Sequence, residues 1–203
     1  MAELRDRIME SSLYLFEKYG FHGVTVNDIV QHSGTSKGGF YHHFQSKDEL
    51  LFMIHDTFIT YVLTKANEAI TTYEIPSFQL HAIIQSFVKV FDLYKPHISV
   101  FYQESNYLKP QFDQLIKHKR DQFKQLIFRV IQEGQMAGDF RSSLPVEITV
   151  MSILGMVNWT YKWYRKDGEK SIEDIANTFS NIILQGILTE SAKQNPELKL
   201  ICK

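Results

Sequence analysis

The stretch YGFHGVTVNDIVQHSGTSKGGFYHHFQSKDELL, residues 19–51, decides the fold. Within it, residues 25–44 divide into a short helix, a glycine-bearing turn and a second short helix. Thr25 is expected to cap the first helix in a capping box with Asp28, and Gly34 is expected to end it. This length and punctuation are typical of a helix-turn-helix, whose second helix enters a major groove about 12 Å wide.

The second helix of this motif, over residues 36–44, has an unusual composition. Its adjacent glycines, Gly38 and Gly39, each cost about 1 kcal/mol relative to alanine, which favours a close approach of the backbone to another surface. Phe40 and Phe44 are spaced to anchor one side in a core, which leaves Lys37, Tyr41 and His42 free to face DNA. From spacing alone, a DNA-reading helix and a small hairpin with glycines for packing both remain open.

The rest of the chain also has helical periodicity. The spacing predicts helices over residues 4–18, 46–73, 76–94, 110–137, 145–165 and 171–189, with a short aromatic-rich piece after Pro96 and a frayed polar tail over 191–203. No segment shows the sustained alternation of strands. The sequence therefore predicts an all-α protein of about nine helices.

Composition excludes several classes of protein. The 203 residues carry a net charge of −1, and no apolar run approaches the length that crosses a bilayer. The start is charged, without the apolar region of a secretory signal, and the lone Cys202 supports neither an intrachain disulfide nor a metal cage. No hydrolase, metalloprotease or phosphate-loop motif is visible. We expect a cytoplasmic protein that is not an enzyme, with no metal, no cofactor and no membrane contact.

Residues 5–54 closely resemble the N-terminal DNA-binding domain of the TetR family of transcriptional repressors. The pieces that match in order and spacing are Tyr19-Gly20, Thr25-x-x-Asp28-Ile29, Gly34, Phe40-Tyr41-x-x-Phe44 and Ser46-Lys47-Asp48-Glu49-Leu50-Leu51. The resemblance implies a DNA-binding domain over residues 1–50 and a ligand-binding and dimerisation domain over 51–203. It also implies a homodimeric repressor of a palindromic operator in double-stranded DNA, released by a small-molecule effector.

The same resemblance implies individual DNA contacts. Thr25 is expected to contact a phosphate through its hydroxyl and amide, Tyr41 through its hydroxyl, and Lys47 from the amino end of the fourth helix. The full DNA-binding set is Thr25, Asn27, Thr35, Ser36, Lys37, Gly38, Tyr41, His42 and Lys47. The first fifty residues hold five basic and seven acidic side chains, a net charge of −2. We therefore expect few, positioned phosphate contacts and a shallow salt dependence.

The last two long helices are rich in apolar residues, which favours a dimer interface over a plain single-chain core. The predicted interface residues are Ile153, Val157, Trp163, Tyr164, Ile175, Phe179, Ile183, Gly186 and Ile187. Large aromatic residues with a few polar neighbours indicate an effector cavity, although each of them also suits plain core. The predicted cavity residues are Phe87, Phe91, Phe101, Tyr102, Glu104, Asn106, Tyr107, Phe123, Met156, Asn158, Trp159 and Tyr161.

Residues 155–187 show a narrower resemblance, to TetR-type regulators of fatty-acid, steroid or aromatic-acid breakdown. It is carried by Asn158-Trp159-Thr160, Trp163-Tyr164-Arg165, Asp167-Gly168 and the Ser171 helix start. It implies an acyl-CoA thioester as one candidate effector. Two alternatives stay open: a repressor of efflux genes that responds to cationic lipophiles, with Glu104 as the counter-charge, and a helical ligand-binding or interaction protein without DNA binding.

Overall fold

A computed structural model describes residues 4–198, and over this range the chain folds into eleven α-helices and one short 3₁₀ turn. The helices are α1 Leu4–Gly23, α2 Val26–Ser33, α3 Lys37–His43, α4 Lys47–Thr72, α5 Pro76–Leu93, α6 Lys95–Glu104, α7 Pro110–Met136, α8 Val146–Asn158, α9 Thr160–Trp163, α10 Ile172–Ile187 and α11 Glu190–Gln194, with the 3₁₀ turn Ser105–Tyr107 after α6. The extended pairing among the described residues is one isolated bridge between Phe140 and Leu188. The all-α prediction is confirmed, and Cys202 lies outside the described residues.

Local sequence explains where several helices begin and end. At α2, the Asp28 amide donates to Thr25 Oγ1 at 3.2 Å, and the Thr25 amide donates back to Asp28 Oδ2 at 2.7 Å. Ser171 and Asp174 form the same capping box at α10. Gly34 ends α2 with φ 63°, in the left-handed region that favours glycine. These capping predictions are confirmed.

Three helix predictions need correction. The aromatic-rich residues after Pro96 form a full helix, α6, rather than a short piece. The single helix predicted over 145–165 is broken at Trp159 into α8 and α9. Thr189 caps a further helix, α11, whose Ala192 is buried, so the tail is structured at least as far as Gln194.

Among the described residues, one compact unit consists of residues 4–59 together with residues 94–118. Its core joins the helix-turn-helix to the first part of α4 and to α6. Its best-buried members include Ile8, Phe16, Phe21, Ile29, Phe40, Phe44, Leu50, Leu51, Ile54 and Val100. The unit is therefore discontinuous in sequence, and the predicted functional division at residue 50 stays a prediction.

The second compact unit consists of residues 60–93 and residues 119–198. Here α10 packs on α5, where His81 Nδ1 lies 2.7 Å from Ser180 Oγ. Burial and a 2.7 Å hydrogen bond to Asp92 raise the pKa of Tyr164 to about 12, so this hydroxyl remains a donor. None of the helices in the described part is long and apolar enough to span a membrane. The described residues also bring together no cluster of three metal-ligating side chains.

Candidate nucleic-acid interface

Helix α3 presents one buried and one exposed face. Phe40 is fully buried, and the ring of Tyr41 packs edge-on against it with 5.3 Å between centroids. Tyr41 is nevertheless 54% exposed, and Lys37, Gly38 and His42 are exposed as well. A buried aromatic thus fixes the helix while four neighbouring positions on α3 face outward.

The two glycines of α3 have different surroundings. A Cβ built on Gly39 would clash with Thr35 Oγ1 and lie 3.3 Å from Leu4 Cδ2, so any larger residue there forces its neighbours inside the unit to shift. A Cβ built on Gly38 would meet Ser36 Oγ at 3.7 Å, which is ordinary contact. Packing therefore does not account for Gly38, and its exposed backbone remains open to an external surface.

The two Thr25 donors predicted to contact a phosphate are both engaged within the helix cap. The Thr25 hydroxyl donates to Asp28 Oδ2 at 2.6 Å, and its amide donates to the same carboxylate oxygen. These hydrogen bonds hold the pKa of Asp28 below its usual value, so the carboxylate keeps both donors. The donors left at this helix end are the amides of Val26 and Asn27, for which no acceptor is found among the described residues.

Lys47, predicted to contact a phosphate from the amino end of α4, is also engaged within its own unit. Its Nζ donates to the carbonyl oxygens of Phe21 and Val24, both at 2.7 Å, and lies 4.2 Å from the centroid of the Phe21 ring. Burial lowers the pKa of Lys47, with Asp48 and Asp28 acting in the opposite direction. Two of its three N–H donors hold the segment that leads into Thr25, so Lys47 is in the first place a positioning residue.

The remaining members of the predicted set lie on the same surface. Ser36 caps α3 by accepting from the Gly39 amide at 3.0 Å, and Thr35 is half-buried beside it. Asn27 is exposed on the first turn of α2. The structure thus brings the whole set onto α2, α3 and the amino end of α4, within one compact unit.

Two family models match the chain. "Bacterial regulatory proteins, tetR family" covers residues 8–54, and "Tetracyclin repressor-like, C-terminal domain" covers residues 74–187, more than half of the chain. The chain belongs to the TetR family. The resemblance drawn from residues 5–54 is confirmed, and so is the prediction of a helix-turn-helix transcriptional regulator.

Individual TetR-family proteins align over nearly the full length. The transcriptional repressor KstR2 of Mycolicibacterium smegmatis is 25% identical over 188 residues, 92% of this chain and 91% of that protein. The solved structure of KstR2 from Mycobacterium tuberculosis superimposes with a TM-score of 0.82 at 22% identity, covering 94% of this chain and 97% of that one. The structure of AibR, solved with isovaleryl coenzyme A and operator DNA, superimposes with a TM-score of 0.75 at 22% identity, covering 89% and 97%. At these identities the two solved structures show that the fold is shared.

Most residues predicted for the TetR-type dimer interface lie inside their own unit. Ile153, Val157, Tyr164, Ile175, Ile183 and Ile187 are buried, Phe179 is half-buried, and Trp163 and Gly186 are exposed. The large apolar side chains exposed between the start of α8 and the end of α10 are Ile148, Met151, Trp159, Ile182 and the predicted Trp163, each 45–63% exposed. Most of the predicted set therefore lies on the inward sides of these helices, and the interface assignment stays a prediction.

The predicted effector residues separate into three groups. Phe87, Phe91 and Phe123 are buried together, with 4.9 Å between the ring centroids of Phe87 and Phe123. Phe101, half-buried, belongs to the other unit, and Met156, Asn158 and Tyr161 are half-buried. Tyr102, Asn106, Tyr107 and Trp159 are exposed, so their assignment to a cavity wall gains no support.

Glu104 and Tyr107 contact the end of α1 instead. Glu104 is buried, and its Oε1 lies 3.5 Å from the position that a Cβ would take on Gly20. The Tyr107 ring lies 4.3 Å from that of His22 and stacks over Phe21 at 6.4 Å. Both side chains thus support the segment that ends α1, which sequence spacing did not reveal.

Sequence reasoning missed His55. Its side chain is fully buried, with Nδ1 2.7 Å from the carbonyl oxygen of Leu51 and with the ring of Phe101 at 5.0 Å. Burial lowers the pKa of His55 to about 4, against a smaller effect of the Leu51 and Phe101 carbonyls. The imidazole is therefore neutral at pH 7, and Nδ1 donates to Leu51. The one signal in the sequence was its position four residues after Leu51 on a predicted apolar face.

Proposed function

We propose that this chain is a ligand-responsive repressor that binds a palindromic operator as a homodimer and leaves it when a small apolar effector binds. The observation that carries the proposal is the exposed row of Lys37, Gly38, Tyr41 and His42 on α3, backed by the buried Phe40. As a gene regulator the protein acts in the cytoplasm and catalyses no reaction.

We assign the DNA contacts to hydrogen-bond donors for which the described part of the chain supplies no partner. The amides of Val26 and Asn27 are at the positive end of α2, where a phosphate is favoured. The hydroxyl of Tyr41 donates to a second phosphate, since its ring is fixed against Phe40. The Lys37 ammonium reaches guanine O6 and N7 in the major groove, and the bare backbone of Gly38 permits close approach.

The dimer is formed by the exposed apolar side chains on α8 to α10. Ile148, Met151 and Ile182 are each more than half exposed, which is unfavourable for a monomer in water. A second copy of the chain, related by a two-fold axis, covers the same patch on both subunits. The helix-turn-helix motifs of the two subunits, related by that axis, bind an inverted repeat with half-sites in successive major grooves.

An acyl-CoA thioester is the effector class that we favour. AibR was solved with isovaleryl coenzyme A, and the resemblance of residues 155–187 points to the same class. The buried Phe87, Phe91 and Phe123 supply apolar surface for an acyl chain. Glu104 is turned toward Gly20, which gives no support to a cationic lipophile. A tenfold loss of operator affinity requires a coupling free energy of about 1.4 kcal/mol.

Selection of bound duplexes from a random DNA pool tests the first part of the proposal. We expect an inverted repeat to be enriched, and a pool without enrichment would favour a helical interaction protein. The effector is tested on the recovered duplex by fluorescence anisotropy, with isovaleryl-CoA, a long-chain acyl-CoA, free coenzyme A and tetraphenylphosphonium. Release by thioesters alone supports the effector class, and release by tetraphenylphosphonium alone would replace it with the efflux alternative.

A further inference from the structure

The first turn of α1 lies against the DNA-reading helix. Leu4 Cδ2 is 3.3 Å from the position that a Cβ would take on Gly39, in the middle of α3. The guanidinium carbon of Arg5 is 5.9 Å from the ring centroid of Phe44, which caps the carboxyl end of α3. These two contacts place a permanently charged side chain directly beside α3.

The hydrogen-bonding groups of Arg5 are not used within the described part of the chain. A guanidinium that packs over an aromatic ring uses its flat face, while its N–H donors point outward along the edge. No ion pair or hydrogen bond found among residues 4–198 involves the Arg5 side chain, whereas Lys65, Lys109, Lys117 and Lys124 do form ion pairs. Arg5 is half-buried, so its side chain has less conformational freedom than that of a fully exposed arginine.

A fixed positive charge beside α3 would compensate for the shortage of cationic side chains on the proposed DNA-binding surface. The first fifty residues carry a net charge of −2, and two of the donors of Lys47 are committed to Phe21 and Val24. The positive groups left for DNA from α2 to α4 are then few. An arginine with its N–H edge free matches the oxygens of a backbone phosphate.

We propose that Arg5 binds a DNA backbone phosphate next to the half-site read by α3. The inference rests on the proposed function, because it assumes that α3 faces DNA. Arg5 contributes affinity and orientation, and it does not read sequence, because phosphates are alike at every base pair.

Arg7 provides a matched control. It carries the same charge on the same helix and is exposed. At about 100° of rotation per residue, it points roughly 200° around α1 from Arg5. Arg5→Met keeps an unbranched stem over Phe44 and removes the charge, and Arg7→Met removes the same charge from the opposite side. Arg5→Lys keeps the charge.

The test is the salt dependence of binding to the duplex recovered by selection, measured by anisotropy from low to moderate KCl. For a dimer, loss of one phosphate contact per subunit lowers the magnitude of the log–log slope by about 2. We expect this change for Arg5→Met, with affinity about tenfold or more weaker at 0.1 M salt, and wild-type slopes for Arg7→Met and Arg5→Lys. Thermal unfolding of all three variants shows whether they remain folded.

Three outcomes would contradict the inference. A wild-type slope for Arg5→Met overturns it, and so does an equal change in Arg5→Met and Arg7→Met, which would indicate general charge rather than a contact. Wild-type protein that binds no DNA at any salt would overturn the proposed function itself, and the inference with it.

Discussion

The Nζ atom of Lys47 lies 2.7 Å from the carbonyl oxygen of Val24, the residue directly before Thr25. A lysine at the start of α4 therefore holds, across a separation of 23 residues, the segment that begins α2. The same ammonium group binds the carbonyl of Phe21. The orientation of α2 in the proposed DNA complex depends on this contact.

Replacement of Lys47 should affect folding as well as DNA binding. Lys47→Met leaves two carbonyl oxygens without their donor, and hydrogen bonds to a charged donor are worth about 1.5–3 kcal/mol each when they are shielded from water. Because the ammonium is partly solvated, we expect a total loss of about 1–2 kcal/mol in the free energy of unfolding, measured by urea titration. Lys109→Met removes an exposed ion pair with Asp48 and should change stability by less than about 1 kcal/mol. Equal stability of the two variants would contradict the positioning role of Lys47.

The two glycines of α3 should respond differently to alanine. Gly39→Ala places a Cβ that clashes with Thr35 Oγ1, so we expect a loss of stability of about 1–3 kcal/mol. Gly38→Ala meets nothing closer than 3.7 Å and gains helix propensity, so the free energy of unfolding should stay equal or rise by up to about 1 kcal/mol.

The Gly38→Ala variant should also bind operator DNA more weakly. The added methyl group obstructs the approach of the backbone to DNA, and we expect operator affinity to fall about tenfold, in anisotropy, without loss of stability. Wild-type affinity in Gly38→Ala would mean that this backbone does not approach the duplex.

The capping boxes, the turn at Gly34 and the buried side of α3 could be predicted because each depends on residues within four positions of one another. Contacts between residues far apart in the sequence could not be predicted. The Lys47 contacts join α4 to the end of α1, and Tyr107 reaches Phe21 and His22 from the 3₁₀ turn. Neither pairing leaves a periodic signal.

The burial of most predicted interface residues could not be foreseen for a related reason. Hydrophobic spacing identifies the apolar side of a helix, and on α8 and α10 that side covers the subunit's own core. Ile148, Met151 and Ile182 are exposed, and this is visible only once the neighbouring helices are placed. The break at Trp159 was missed because neither glycine nor proline marks it.

A charge in the exposed apolar patch of α8 to α10 should separate the subunits. Ile182 is 53% exposed, and Ile182→Glu places a carboxylate where the second copy is proposed to pack. We expect a monomer in sedimentation velocity, with far weaker operator binding, because burial of an unpaired charge is costly. Leu115→Glu, at a position 50% exposed in the other unit, should remain dimeric. If the Ile182→Glu protein is still a dimer, the interface does not include this patch.

One buried and one half-buried histidine predict acid sensitivity. Burial lowers the pKa of His55 and of His97 to about 4, below the usual 6.5 of the unfolded chain. Between these values the unfolded state binds more protons than the folded state, so stability falls as pH decreases. From pH 7 to pH 5, we expect His55 to account for a loss of about 2 kcal/mol.

The comparison variant for this effect is His55→Leu. It should show a smaller fall in the urea midpoint over the same pH range, whatever its absolute stability. An identical pH dependence in wild type and variant would show that the imidazole of His55 does not resist protonation in the folded protein.

The central claim is that the exposed side of α3 binds operator DNA. The most direct measurement is the affinity of Lys37→Ala/Tyr41→Ala for the selected inverted repeat, beside its thermal unfolding midpoint. Both side chains are exposed, so the midpoint should lie within a few degrees of wild type. We predict that operator binding falls at least about a hundredfold, since each removed contact is worth about 1–3 kcal/mol. Unchanged affinity in a folded double variant would contradict the account.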